Sequence, residues 1–183
     1  MQQTTNTILM IRPINFRKNE QTAVNNYFQE DIDLQNAEIN KQAQEEFDAY
    51  VFKLRSYGVQ VVVISDTATS DTPDSLFPNN WISFHSEGIV GLYPMFAENR
   101  RLERRDDILN ELEKSGFLIE DIVDYTSAED EGFYLEGTGS IILDRVNKKA
   151  YCALSARADE DLFIEFCEDF EYTPVVFVAN QTV

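Results

Sequence analysis

Residues 140–178 read SIILDRVNKKAYCALSARADEDLFIEFCEDFEYTPVVFV, and this stretch decides the fold. Ser140-Ile-Ile-Leu143 and Ala150-Tyr-Cys-Ala-Leu154 are short apolar runs that pair across Arg145-Val-Asn-Lys148. Residues 158–170 then carry helical spacing, with Phe163, Phe166, Cys167 and Phe170 on one face. Asp159, Glu160 and Asp161 fall in the first turn, where the helix dipole favours acids. Thr173-Pro174 stops the helix, and Val175-Val-Phe-Val178 is a closing strand. The order is strand, strand, helix, strand.

Moving outward, the same order occurs once before. Trp81-Ile-Ser-Phe-His85 and Ile89-Val-Gly-Leu-Tyr93 form a hairpin across Ser86-Glu-Gly88, with glycine where a bulged turn needs it. A polar loop, Ala97–Arg101, leads to a helix whose inner face is Ile108, Leu109 and Leu112 and which ends at Ser115-Gly116. Phe117–Val123 is the strand that follows. A partial copy precedes both. It has a strand at Ile8–Ile11, a mostly irregular polar segment over residues 15–35, and a helix from about Glu38. That helix buries Ile39, Ala43, Phe47, Tyr50, Val51 and Leu54 and stops at Gly58, before an interior strand at Val59–Ile64. The copies share element order at a spacing of about sixty residues. The prediction is one α/β domain over residues 1–183, with two full ββαβ units and a partial first one.

Stacked units of this kind bring their equivalent loops to one end. Asn79-Asn80 precedes the first strand of one copy and Glu136 that of the next; Arg100-Arg101 precedes one helix and Arg157 the other. Asp71-Thr-Pro-Asp-Ser-Leu-Phe-Pro-Asn-Asn-Trp81 is the most distinctive loop. Its two prolines stiffen it, Phe77 and Trp81 anchor it, and Asp71, Asp74, Asn79 and Asn80 tip it with short polar groups, as in a loop that presents ligand contacts or in a proline-ordered connector whose Asp and Asn cap backbone amides. Tyr134-Leu-Glu-Gly-Thr-Gly139 sets Glu136 beside two glycines, which permit close approach of backbone or ligand. Its carboxylate can orient a histidine or accept from a guanidinium or ureido group. Arg157 either takes a ligand carboxylate or pairs with a neighbouring acid.

Composition narrows the partners. With 43% hydrophobic residues, 13 Phe and 8 Tyr, the chain is globular; with 15 Lys and Arg against 33 Asp and Glu, its net charge is −18. That surface repels nucleic acid and anionic membranes. No apolar run is long enough to span a bilayer, and Met1–Met10 lacks the features of a secretory signal, so a cytoplasmic location is expected. Cys152, Cys167 and His85 have spacings that suit neither a disulfide framework nor a metal site, and no phosphate loop or dinucleotide fingerprint is present, so neither cofactor nor metal is expected. Cys152 sits mid-strand, Cys167 on an inner helix face and His85 at a hairpin end, all structural positions.

Four segments in this order, Asp74–Trp81, Asn99-Arg-Arg101, Leu135–Ser140 and Leu154–Arg157, together with Met10–Phe16, resemble the amidinotransferase-like, guanidino-group-modifying (pentein) superfamily. The resemblance is strongest to its citrulline-hydrolase branch, which is similar to dimethylarginine dimethylaminohydrolase and arginine deiminase. It implies a five-bladed α/β propeller of ββαβ units, of which this chain would be a part. It further implies attack by a cysteine thiolate on the planar carbon of a guanidino or ureido group, with a histidine as acid and base. Residue by residue, Glu136 matches the acidic partner of the histidine, and Asp74 and Asn80 match positions that hold substrate nitrogens. Arg157 and one of Arg100 or Arg101 match the arginines that hold an amino-acid carboxylate. Asn80 stands where members with cationic substrates carry aspartate, which favours citrulline over arginine. The family's nucleophilic cysteine and catalytic histidine have no match here, so the chain resembles the N-terminal three-fifths of such an enzyme. Expected partners are citrulline or an arginine-like amino acid, with a second copy or a complementing C-terminal chain covering an unpaired edge beyond Val175–Val178.

Overall fold

The computed structural model describes residues 2–23 and 35–180. Eight strands and six α-helical segments occur among them. They are β1 (Thr7–Arg12), α1 (Glu20–Ala23), α2 (Asn36–Ser56), β2 (Gln60–Ser65), β3 (Ile82–Phe84), β4 (Ile89–Leu92), α3 (Glu98–Arg101), α4 (Asp106–Lys114), β5 (Asp121–Asp124), α5 (Gly137–Ser140), β6 (Ile141–Asp144), β7 (Lys149–Ala153), α6 (Glu160–Asp169) and β8 (Thr173–Phe177). They fall into two compact units. One comprises Thr5–Pro78 and Ala97–Phe117; the other comprises Asn79–Phe96 and Leu118–Val183, with Met1–Thr4.

In the N-terminal unit, β1 and β2 pair in parallel from Thr7↔Gln60 to Arg12↔Ser65. Parallel pairing requires a crossover, and α2 supplies it. Phe47 and Val51 of α2 pack with Val61, Val63, Ile8 and Met10. Ile11 and Ile64, on the alternate side of the same strands, are also buried, so the strands are apolar on both faces as the sequence requires. Helix α2 closes where Gly58 adopts φ 83° and the Val59 amide donates back to the Leu54 carbonyl at 3.2 Å. Helix α4 packs on β2, and its Ile108 and Leu112 are buried.

The C-terminal unit holds two sheets with one wiring. Strands β3 and β4 are antiparallel and β4 and β5 parallel; β6 and β7 are antiparallel and β7 and β8 parallel. In chain order each sheet belongs to a ββαβ repeat and β1–α2–β2 is the partial copy, although the helix of the first repeat, α4, lies in the N-terminal unit. Asp159 caps α6 by accepting from the Asp161 and Leu162 amides at 3.0 and 3.2 Å. The Phe163, Phe166, Cys167 and Phe170 face packs on Ile141, Leu143, Ala150 and Cys152 and on Tyr93 and Tyr125. Phe166 meets five other rings within 6.4 Å. Burying side chains of this size contributes about 1.5–3 kcal/mol each.

The structure departs from the sequence expectation in several places. Strand β5 is only Asp121–Asp124, because pairing with β4 begins at Ile89↔Asp121; Phe117 instead closes α4 through a bond to the Leu112 carbonyl. Ala97–Arg101 is not a loop but leads into the helical turn α3. Tyr50 lies outside the buried face of α2, at 55% exposed, and Phe77 is exposed while Trp81 anchors its loop. Part of the segment expected to be irregular forms α1, and residues 24–34 lie outside the described residues, as does Gln181–Val183. Among the described residues β8 ends its sheet, with Phe177 and Val178 exposed. No helix of the described residues is long and apolar enough to cross a membrane.

Candidate active site

Three of the residues singled out from the sequence come together in the C-terminal unit. Glu136 is 1% exposed, just ahead of the helical turn α5. Asn80 Nδ2 donates to its Oε2 at 3.0 Å, the Phe96 amide donates to its Oε1 at 3.2 Å, and Arg157 Nη1 lies 3.6 Å from Oε2. The backbone ties the same residues, since the Glu136 amide donates to the Arg157 carbonyl at 3.0 Å. A carboxylate offers about four acceptor positions, so this one retains capacity for a further donor such as an imidazole N–H.

The two glycines of the Glu136 segment serve the approach of another loop. Gly137 has φ 36°, and a Cβ there would lie 2.7 and 2.9 Å from the Asn79 and Asn80 carbonyl oxygens. A Cβ on Gly139 would run into the Asn80 side-chain amide. Thr138 Oγ1 completes the join by donating to the Asn79 carbonyl at 3.1 Å. The close approach permitted by glycine is therefore by backbone at Gly137 and by the Asn80 side chain at Gly139, and it seats Asn80 on Glu136.

Asp74 and Arg100 belong to the N-terminal unit; the boundary between the units falls after Pro78, inside the loop that the sequence singled out. Asp74 is buried, and its Oδ2 accepts from Asn19 Nδ2 at 2.8 Å and Thr22 Oγ1 at 3.2 Å. Asn19 also exchanges side-chain hydrogen bonds with Asn99 at 2.9 and 3.3 Å. Asn19 and Thr22 have no role in the sequence reading, Asn99 enters it only within the Asn99-Arg-Arg101 segment, and no spacing in their polar surroundings points to Asp74. Arg100 is 3% exposed and forks onto Glu103, Nε to Oε1 at 2.9 Å and Nη2 to Oε2 at 3.0 Å. Its Nη2 also donates to the Phe77 carbonyl at 3.0 Å. Burial pushes the Glu103 carboxyl up to about 7 against the pull of Arg100, with Asp74 and Asp66 adding to the rise. Arg101, on the same turn, is half-buried.

The thiols and the imidazole sit apart from this chemistry. Burial pushes Cys152 up to about 11, and burial with Cys152 beside it pushes Cys167 up to about 12. His85 stacks on Phe170 at 3.9 Å between ring centres, and its Nε2 shares a 2.7 Å hydrogen bond with Ser83 Oγ. Burial, with Arg145 and Lys148 nearby, pushes His85 down to about 3. Among the described residues no group of three or more His, Cys, Asp or Glu could hold a metal ion.

A family model described as N,N dimethylarginine dimethylhydrolase, eukaryotic, matches residues 12–183. The chain belongs to this family. Solved structures give the same fold. The N-terminal domain of ArgZ, an arginine dihydrolase from cyanobacteria, in a mutant form bound to substrate, superposes with a TM-score of 0.65 at 14% identity over 93% of this chain and 56% of that one. A mutant dimethylarginine dimethylaminohydrolase from Pseudomonas aeruginosa, complexed with citrulline, gives 0.63 at 16% identity over 97% of this chain and 62% of that one. A dimethylarginine dimethylaminohydrolase adduct with S-methyl-L-thiocitrulline gives 0.62 at 17% identity over 96% and 62%. No curated protein matches by sequence. The fold is thus the α/β fold of the pentein superfamily, and the chain spans about three-fifths of the length of these three structures.

Proposed function

We propose that these residues form the substrate-holding part of a hydrolase acting on the ureido or guanidino group of citrulline or an arginine-like amino acid. The observation that carries this reading is the buried Glu136 carboxylate, held by Asn80 and Arg157 with acceptor capacity to spare. In this reading Glu136 orients a histidine, and Asp74 and Asn80 hold the substrate nitrogens. Asn80 Nδ2 gives one N–H to Glu136, which leaves its second N–H to donate to a ureido oxygen and its Oδ1 to accept from a ureido N–H. Arg157 and one of Arg100 or Arg101 take the α-carboxylate, and the Arg100 guanidinium is forked onto Glu103. The reaction runs through thiolate attack on the planar carbon, departure of the amine with a proton from the histidine, and hydrolysis of the thiol-bound intermediate.

The thiolate and the imidazole come from outside these residues, since Cys152 and Cys167 are held protonated and His85 is buried against Phe170. A complementing C-terminal segment supplies them, in a soluble cytoplasmic protein. Binding without turnover, with self-association along the exposed strand β8, is the second reading. The test is calorimetric titration with citrulline alongside an assay of ammonia release. Citrulline binding that is lost in Glu136→Gln, without turnover, is expected of the 183-residue chain. Turnover by that chain alone would overturn the placement of the nucleophile, and failure to bind would overturn the site.

A further inference from the structure

We propose that Arg100 and Glu103 act as positioning residues, which fix the Phe77 carbonyl and thereby the turn that presents Asp74. The proposal rests on the reading of Asp74 as a substrate contact. The turn is bonded internally, the Phe77 amide to the Asp74 carbonyl at 3.0 Å and the Ser75 amide to the Thr72 carbonyl at 3.2 Å. Its start is tied by Thr72 Oγ1 to Asp66 Oδ2 at 2.8 Å, and Asp74 itself is tied to Asn19 and Thr22. Its far end is Phe77, whose carbonyl precedes Pro78 and accepts from Arg100 Nη2 at 3.0 Å.

A guanidinium suits this task because one planar fork can bind a carboxylate twice and still donate to a carbonyl. Glu103, with 1% of its side chain exposed, holds that fork in one orientation; Arg100 has 4% of its own exposed. An ammonium at position 100 could reach either acceptor as a point charge, without holding both in a plane. The arrangement also separates the roles of two adjacent arginines. Arg100 secures the loop carrying Asp74, which acts on the ureido end of a ligand, and the carboxylate role that the resemblance gives to one of the two arginines is assigned to Arg101.

Two ligands separate positioning from carboxylate binding. Citrulline carries both ends, and N-propylurea carries the ureido group alone. Arg100→Lys is expected to weaken both by the same factor, about tenfold, the equivalent of one hydrogen bond. Arg101→Lys is expected to weaken citrulline alone. Loss of citrulline binding with N-propylurea untouched in Arg100→Lys would make Arg100 a carboxylate ligand and overturn the proposal. Amide hydrogen exchange tests the same point without ligand. In Arg100→Lys and in the milder Glu103→Gln, exchange at the Phe77 and Ser75 amides should rise at least about tenfold while β1 and β2 amides stay protected. Unchanged exchange at Phe77, or a rise throughout β1 and β2 in both variants, overturns it. If the unaltered chain binds neither ligand, the functional reading fails, and exchange at Phe77 still decides the positioning role.

Discussion

Asn80 Nδ2 and Glu136 Oε2, 56 positions apart in the chain, share a hydrogen bond of 3.0 Å. Each lies just before the first strand of its own ββαβ unit, so equivalent positions of successive repeats touch. Replacing the carboxylate by its amide isostere tests what this contact is worth. In Glu136→Gln, Arg157 loses its charge partner and the Asn80 amide meets a weaker acceptor. Stability should fall by about 1–3 kcal/mol in denaturant titration, with citrulline binding lost.

The glycines beside Glu136 should differ from a glycine that only turns the chain. Gly132 has φ 81° with open space around it, so Gly132→Ala should cost only the left-handed conformation, about 1–2 kcal/mol. Gly137→Ala adds a collision with the Asn79 and Asn80 carbonyls and should cost more. Gly139→Ala should displace the Asn80 amide, seen as a shift of its side-chain resonances, and weaken citrulline binding. Thermal unfolding of the three variants side by side gives the order.

His85 should make stability depend on pH. The folded imidazole stays neutral to about pH 3, whereas an unfolded one takes up its proton near 6.5. Between those values the unfolded state binds more protons, so stability is full above 6.5 and falls as pH drops through that window. The loss is up to about 1.4 kcal/mol per pH unit. His85→Gln should flatten that slope in denaturant midpoints measured from about pH 7 to pH 5.

Neither thiol should react while the chain is folded. With Cys152 up at about 11 and Cys167 at about 12, the thiolate fraction near neutral pH is small and both sulfurs are buried. A chromogenic disulfide reagent at about pH 8 should label both only after denaturant is added. Labelling of either one in the native chain would contradict their placement on the inner faces of β7 and α6.

The cap of α6 should be separable from the site. Asp159 accepts from two amides of the first turn, and Asp159→Ala should cost about 1 kcal/mol by chemical unfolding. Citrulline affinity should be unchanged.

The repeat was legible because strand and helix periods leave different marks. The helical spacing of Phe163, Phe166, Cys167 and Phe170 and the paired runs around Arg145–Lys148 reappear as α6 and the β6–β7 hairpin. The pairing of Asn80 with Glu136 could be anticipated, since equivalent loops of stacked units meet. The partners of Asp74 could not. Asn19 and Thr22 lie in a polar segment without period, and only the folded chain brings them to Asp74. The fork from Arg100 to Glu103 has helical spacing of three and was open to discovery. Among four arginines within six residues, the solvated face is the simpler reading, and it hides the buried member. Phe77 misled for a related reason: an aromatic ring in a stiff loop suggests an anchor, yet its backbone carbonyl is what the protein grips.

The seam at Asn80 and Glu136 has a consequence for how the C-terminal unit comes apart. Repeat domains gain cooperativity from interfaces between neighbours, and this interface includes Asn80, which is proposed to meet the substrate. A ligand at that seam therefore acts as a clamp between consecutive repeats. Occupancy should sharpen the unfolding transition and merge the opening of the β3–β4–β5 and β6–β7–β8 sheets into a single event.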